Sequence, residues 1–430
     1  MTRRSLRLPS SVILSTVVAI VLSIGIVQSV SAQSAAHTAG SALPVPTTYG
    51  GTRYSAVSCT SRSFCMAVGT YTNRAYFSFG VAAKWNGSQW HLVDLPLAEN
   101  VHGSWALSAV SCLSPTWCMA LGGSRGMVPP FSELWNGRSW ARKNIQINAG
   151  NLGVYIDSLS CPSTSFCVAA GNASGGVRDA VQTFPEAAEW NGSGWHALSL
   201  PKSISGYGFS GMSCAGADDC TFIADSNFLA SDWAKGARLV QLTGNSWSLL
   251  SPQPPPHGDV IEYQGISCAD SSSCAVAGTA TPTVQNGVKD KEITFMATLS
   301  GTSWHTTDLQ LVRIGESGAT NMSCPSSAYC LATIPGETFI PRPAEVLKLN
   351  TGSGKVTLLE NVPQVDALSA PCATSTACAV LVASCSSCND RLVFFSVPAA
   401  WNWAYTIAVL LICAVLLGAG LEIWRRRRTS

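Results

Sequence analysis

Charge is what this chain has least of. Lys, Arg, Asp and Glu make up only 12% of its 430 residues. With Arg3, Arg4, Arg7, Glu422 and Arg425 to Arg428 set aside, 19 basic and 23 acidic residues remain, with no basic run. Nucleic-acid binding therefore has no electrostatic footprint. Sustained helical periodicity is missing from residues 42–398, which excludes a helical bundle. Catalytic signatures are missing as well: there is no Gly-x-Ser-x-Gly, no His-Glu-x-x-His and no phosphate loop. The carboxylates Asp157, Asp179, Glu186, Asp218, Asp219, Asp225, Asp232, Asp259, Glu262, Asp290 and Glu292 are scattered, and spacing alone pairs none of them. These patterns give no catalytic residue, no metal-ligand set and no cofactor.

Cysteine, by contrast, is plentiful. Fourteen of 17 cysteines fall into seven Cys-x5-Cys pairs: Cys59 with Cys65, Cys112 with Cys118, Cys161 with Cys167, Cys214 with Cys220, Cys268 with Cys274, Cys324 with Cys330, and Cys372 with Cys378. Such pairs persist as disulfides in an extracytoplasmic space and not in a reducing cytosol. The rival use is metal binding. Zinc sites, however, join one Cys-x2-4-Cys pair to a second pair, and here the same site would have to recur in every copy. Each Cys-x5-Cys is therefore read as a disulfide across a hairpin, where facing strands bring Cα atoms to about 4.5–5.5 Å. Closing a loop of about seven residues contributes roughly 2 kcal/mol. Cys385-Ser386-Ser387-Cys388 stands outside the pattern. Its spacing matches a redox motif, but no βαβ context surrounds it, so Cys385 and Cys388 are read as an additional local disulfide.

The two ends are apolar. Residues 1–32 read as a signal peptide, with Arg3, Arg4 and Arg7 before the run Val12 to Val27 and small residues up to Ala32. An uncleaved anchor is the alternative. Residues 33–41 read as a linker. Residues 399–424 read as a transmembrane helix of sufficient length, edged by Trp401, Trp403, Tyr405 and Trp424 and followed by a basic tail, 425–430. The positive-inside rule places that tail in the cytoplasm. The expected localisation is the cell membrane, single-pass, with residues 42–398 outside. Cys413 lies in the span and reads as an ordinary apolar residue.

The middle is a repeat. First cysteines are separated by 53, 49, 53, 54, 56 and 48 residues, a period that fits propeller blades. The clearest copy reads Leu159-Ser160-Cys161-Pro162-Ser163-Thr164-Ser165-Phe166-Cys167-Val168-Ala169-Ala170-Gly171, followed by Trp190-Asn191-Gly192-Ser193-Gly194-Trp195. Strand-like runs flank both cysteines (strands a and b), and Asn-Gly between the tryptophans marks a second hairpin (strands c and d). Each unit is thus a four-stranded antiparallel meander. Later copies decay: Leu242 and Leu299 stand where the first Trp is lost, and in the sixth copy Lys355 takes the second Trp position. The last copy lacks strand-d text, and Ser41-Ala42-Leu43-Pro44-Val45-Pro46 resembles it. The expectation is an all-β, seven-bladed β-propeller of four-stranded blades, closed by an N-terminal strand that protects the sheet edges. An open solenoid is the alternative.

The Ser-Cys-Pro-Ser-x-x-x-Cys-x-Ala-x-Gly and Trp-Asn-Gly-x-x-Trp texts resemble repeats of exported β-propeller proteins of actinomycete-like bacteria, which are distantly similar to kelch and sialidase-type propellers. The resemblance covers residues 42–398 and implies architecture only. Asn191-Gly192-Ser193-Gly194-Trp195 lacks the Asp of the sialidase Asp-box, and no arginine triad is recognisable. The recurring tryptophans read as inter-blade packing, with carbohydrate stacking as the alternative. His91, His196 and His305 each follow the second Trp and read as outward repeat positions. The sequons at Asn86, Asn172, Asn191 and Asn321 read as coincidence. Meander topology puts the short uniform a–b and c–d turns on one face and the long irregular b–c and d–a connections on the other. Variable loops on a rigid scaffold carry binding. The expected function is a binding or scaffolding module for an extracellular protein or glycan, with the irregular face turned away from the membrane. The alternative is an extracytoplasmic glycan hydrolase or lyase with its site on that face. Oligomeric state is not legible.

Overall fold

In the computed structural model, the described residues run from 38 to 396. They exclude 43–50, 97–103, 125–127, 148–151, 176–181, 227–235, 256–259, 282–292, 310–320, 335–343, 354, 363–365, 370–371, 375–376 and 384–390. The signal-peptide segment 1–32, Cys385 and Cys388, the segment 399–424 and the tail 425–430 lie outside the described residues.

Six sheets are four-stranded antiparallel meanders in the order a-b-c-d. Blade 3 shows the plan: Gly153–Ser163, Phe166–Gly175, Gln182–Trp190 and Trp195–Ala197. The a strands of the six blades are Thr52–Ser61, Ala106–Ser114, Gly153–Ser163, Tyr207–Gly216, Val260–Asp270 and Asn321–Ser326. Each packs beside the a strand of the next blade, so they stand innermost.

The fold is a β-propeller, but with six such blades and not the seven expected. The remaining sheet is five-stranded. It holds Thr38–Ala42, Arg391–Ser396, Ala377–Ala383, Asp366–Ser369 and Cys372–Thr374. Its inner position is split into the two short strands Asp366–Ser369 and Cys372–Thr374. In the sequence Pro371 stands where the other copies carry Ser before the first Cys, and proline has no N–H to give a ladder. This sheet touches both blade 6 and blade 1. Its outer strand comes from the N-terminus: Thr38 faces Phe394 and Ala42 faces Arg391. That strand overlaps the end of the stretch read as linker, 33–41, and reaches Ala42, so the closing strand begins earlier than the expected text Ser41 to Pro46. The transmembrane helix expected over 399–424 lies outside the described residues, and among those described no helix is long and apolar enough to cross a membrane.

Strand b is buried on both faces. Cys65, Met66, Ala67 and Val68 are all fully buried, which accounts for their unbroken apolar run. Between blades 1 and 2, Phe64, Met66 and Val68 pack against Trp135 and Trp140. Between blades 2 and 3, Met119 and Leu121 pack against Trp190 and Trp195. The tryptophans are thus inter-blade wedges, and each pair is also tilted ring to ring at 5.5–5.9 Å. The first indole of each pair is held by its own blade: Trp85, Trp135 and Trp190 donate their Nε1–H to the carbonyls of Arg62, Pro115 and Thr164 in the a–b turn.

The cysteine pairs face one another across strands a and b, and seven disulfides form with Cα–Cα distances of 3.9–4.1 Å. The Ser before each first Cys has a role that the text alone does not reveal. The Cys112 N–H donates to Ser58 Oγ of the preceding blade at 3.0 Å. The same bond joins Cys214, Cys268, Cys324 and Cys372 to Ser160, Ser213, Ser267 and Ser323. The Ser-Cys dipeptide therefore ties neighbouring blades together while the disulfide ties strands within one blade.

A buried ion pair sits in blade 2. Glu133, on strand Val128–Trp135, faces Arg142, on strand Trp140–Asn144. Arg142 Nε donates to Glu133 Oε1 at 2.8 Å, and the Glu133 side chain is wholly enclosed. The guanidinium also lies 3.7 Å over Phe131.

Candidate functional site

The a strands enclose a central channel of about 510 Å³. A repeated backbone device decides what faces into it. Each of five a strands carries a β-bulge at one repeat position, four residues before its first Cys. Tyr54 and Ala56 pair with Gly69 and Val68, leaving Ser55 unopposed. The same offset leaves Ser108, Asp157, Ser210 and Gln264 unopposed. A bulge adds a residue to one strand and re-aims its side chain, and all five residues line the channel. The motif glycine follows from this. Gly69, Gly171 and Gly278 stand opposite the bulges, where a Cβ would come within 2.1–2.3 Å of a carbonyl oxygen of strand a. Blade 4 keeps the register with Ala224 instead.

The geometry is constant and the side chains are not: three hydroxyls, one carboxylate and one carboxamide. Ser108 Oγ donates to the Ile156 carbonyl of the next blade. Gln264 Oε1 is enclosed without a hydrogen-bond partner, a state that costs about 1–3 kcal/mol when left unfilled.

Two carboxylates that the sequence left scattered come close enough near this channel for the charge of one to act on the other. Asp225 lies near the end of strand b in blade 4, opposite Gly208, and Glu262 lies near the start of strand a in blade 5. Both stand at the irregular-loop end. Burial above all, with the Glu262 charge adding to it, pushes the Asp225 carboxyl up to about 6, against a hydrogen bond from Ser210 that lowers it. The signal was present as repeat register: Asp225 falls five residues after its second Cys and Glu262 six before its first, positions that an a–b hairpin brings to one end. Asp157 accepts from Ser158 Oγ. Glu186 lies on strand c of blade 3, with its carboxyl raised by burial. Asp218 and Asp219 occupy the blade 4 a–b turn, where Asp219 accepts from Gln241. Asp179, Asp232, Asp259, Asp290 and Glu292 lie outside the described residues.

Because the folded pKa of Asp225 lies above its ordinary value of 3.8, the fold binds this proton more tightly than the unfolded chain does. The associated stability is complete below about pH 4 and is lost as pH rises through about 6. Asp225→Asn is expected to stabilise the protein at pH 7.5 by up to about 3 kcal/mol and to change little at pH 4. Urea unfolding at both pH values measures this.

Most irregular connections lie outside the described residues. One b–c loop, Asn73 to Phe77 of blade 1, is described. Asn73 Oδ1 accepts from the Ala75 and Phe77 amides, and Tyr76 and Phe77 are 89% and 49% exposed at its tip. The repeated histidines are surface residues: His91 and His196 meet the turn residues Asn86 and Asn191 at 3.0 and 2.8 Å, and His305 is exposed. Among the described residues no group of three or more His, Cys, Asp or Glu is placed to hold a metal ion.

No protein-family model matches the chain, and no curated protein matches it. Solved structures do. A YCF48 protein bound to a D1 peptide aligns at 11% identity over 84% of this chain and 97% of that one, with a TM-score of 0.51. The β-propeller domain of the trilobed protease from Pyrococcus furiosus, described as having an open velcro topology, aligns at 9% identity over 82% and 99%, with a TM-score of 0.50. A GH74 xyloglucanase from Xanthomonas campestris aligns at 11% identity over 80% of this chain and 60% of that one, with a TM-score of 0.41. These likenesses are of fold: β-propellers that include a peptide-bound protein and a glycoside hydrolase.

Proposed function

We propose that this propeller is an extracytoplasmic binding module that holds an extracellular protein segment or glycan over the irregular-loop mouth of its channel. The observation that carries the reading is the ring of bulges. One backbone geometry, repeated from blade to blade, presents a different hydrogen-bonding side chain each time: Ser55, Ser108, Asp157, Ser210 and Gln264. A purely structural repeat has no need of that variety, whereas recognition does. The exposed pair Tyr76 and Phe77 supplies apolar contact on the same face. Seven disulfides support the extracytoplasmic setting. The peptide-bound fold neighbour is an analogy of scaffold alone.

Asp225 beside Glu262 favours a second reading, a glycan hydrolase, because a carboxyl titrating near neutrality next to a carboxylate suits acid–base cleavage of a glycosidic bond. Arrays of extracellular glycans and peptides, probed with the purified oxidised protein, separate the two. Binding is expected to be saturable and to weaken at least about tenfold, or 1.4 kcal/mol, in Ser210→Arg and in the double variant Tyr76→Ala/Phe77→Ala. Release of new reducing ends, abolished by Asp225→Asn, would replace the binding reading with the hydrolase. Retention of nothing on the arrays, or retention indifferent to both variants, overturns the binding reading.

A further inference from the structure

A second cavity, of about 490 Å³, opens on the opposite face, between the a–b and c–d turns of blades 5 and 6. Its origin lies in the decay of the repeat. In blades 1, 2 and 3 the second cysteine pairs with the first Trp: Cys65 with Trp85, Cys118 with Trp135, Cys167 with Trp190. In blade 6 the same register pairs Cys330 with Leu349. Leu349 is fully buried against Ala275 and Met296 of blade 5, so it takes the place of the wedge without its bulk. The second Trp of the unit is Lys355, which is exposed. The turn carbonyl that receives an indole N–H in blades 1 to 3 corresponds here to Ser327, which accepts from Thr351 Oγ1. An indole has been exchanged for a hydroxyl and an open space.

The lining selects the chemistry. No Lys or Arg is among the described lining residues, so these offer an anion no counter-charge. Its one carboxylate, Asp270, already accepts from the amide and hydroxyl of Ser272, which leaves a metal cation a poor site. What remains is a rim of hydroxyl and amide groups, among them Ser300, Ser326 and Asn350, over a floor of Ala275, Leu299 and the Cys324–Cys330 disulfide. Hydroxyl edges and C–H faces are what a pyranose presents. The volume falls within the range of small-molecule sites, about 300–1,000 Å³.

We propose that the cleft between blades 5 and 6 is a neutral saccharide site, sized for one or two sugar rings and separate from the channel. With no aromatic ring among its lining residues, affinity is expected in the millimolar range, about −4 kcal/mol.

The test uses the full oxidised chain and four probes: glucose, N-acetylglucosamine and their β-1,4-linked disaccharides, followed by saturation-transfer NMR and titration. At least one probe is expected to bind saturably. Leu349→Trp, which restores the wedge, is expected to weaken that binding about tenfold or more, equivalent to 1.4 kcal/mol. Ala328→Arg is expected to do the same from an exposed turn position, so it decides the matter if the core variant fails to fold. Ser210→Arg, in the channel, is expected to leave the affinity of the cleft for that probe unchanged. Failure of every probe to bind, binding that survives Ala328→Arg, or binding lost equally in Ser210→Arg overturns the proposal. The last of these outcomes would leave the channel reading standing.

Discussion

Full reduction is expected to lower the thermal midpoint of this protein by roughly 15–20 °C. Each Cys-x5-Cys link closes a small loop worth about 2 kcal/mol, and seven sum to a quantity comparable with the whole stability of an ordinary domain, about 5–15 kcal/mol. The sheets depend on that contribution because their interior is poor in bulk: strand b of blade 3 reads Val168-Ala169-Ala170-Gly171, all buried. Reduction of the native state is also expected to be slow. Cys65, Cys118, Cys167, Cys220 and Cys330 have no exposed surface, so a thiol reagent must wait for a blade to open. The measurement is calorimetry of oxidised protein against protein reduced in denaturant, alkylated and refolded. A midpoint within a few degrees of the oxidised value would refute the account, and would also remove the argument for an oxidising compartment.

Arg142→Ala is expected to cost about 3–5 kcal/mol. Glu133 sits at the centre of blade 2 with no exposed surface. Burial raises its carboxyl, while the hydrogen bond and charge of Arg142 pull it down. Removing the arginine leaves a charge enclosed in an apolar wall and strips the cation from the face of Phe131. The variant should recover part of its loss as the medium is acidified, because protonation of Glu133 then removes the uncompensated charge; a raised folded-state pKa gives stability that fades as pH rises through it. Replacing both partners by apolar residues, Glu133→Met with Arg142→Met, is expected to cost far less than the single change, since no lone charge remains. Denaturant unfolding of the three variants at pH 5 and pH 7.5 tests this. A loss below about 1 kcal/mol for Arg142→Ala would assign the pair the weight of a surface ion pair.

The two cavities have different histories in the text. The inter-blade cleft was visible as decay: Leu349 and Lys355 stand where earlier copies carry tryptophan, and what register added was that one leucine replaces one wedge. The channel was not visible. Ser55, Ser108, Asp157, Ser210 and Gln264 share an offset from their cysteines but no chemistry, and a pattern defined by residue type passes over positions whose type varies. Repeat register put Asp225 and Glu262 at the same end of their hairpins, but they belong to different blades, and only the packing of one blade against the next lets the charge of one act on the other.

By itself the sequence determined the repeat unit, its four strands, its disulfide pairing and the inter-blade place of its tryptophans. These follow from local rules: a cysteine spacing that fits one hairpin, an Asn-Gly that fits another, and apolar runs of strand length. Tertiary structure decided the rest. It set the number of regular blades at six: the inner position of the last sheet holds two short strands, Asp366–Ser369 and Cys372–Thr374, in place of one. It placed the N-terminal strand at Thr38–Ala42, paired with Arg391–Ser396. It also turned the bulge residues toward the channel, because an extra residue in one strand re-aims its side chain, a register that repeat spacing does not reveal.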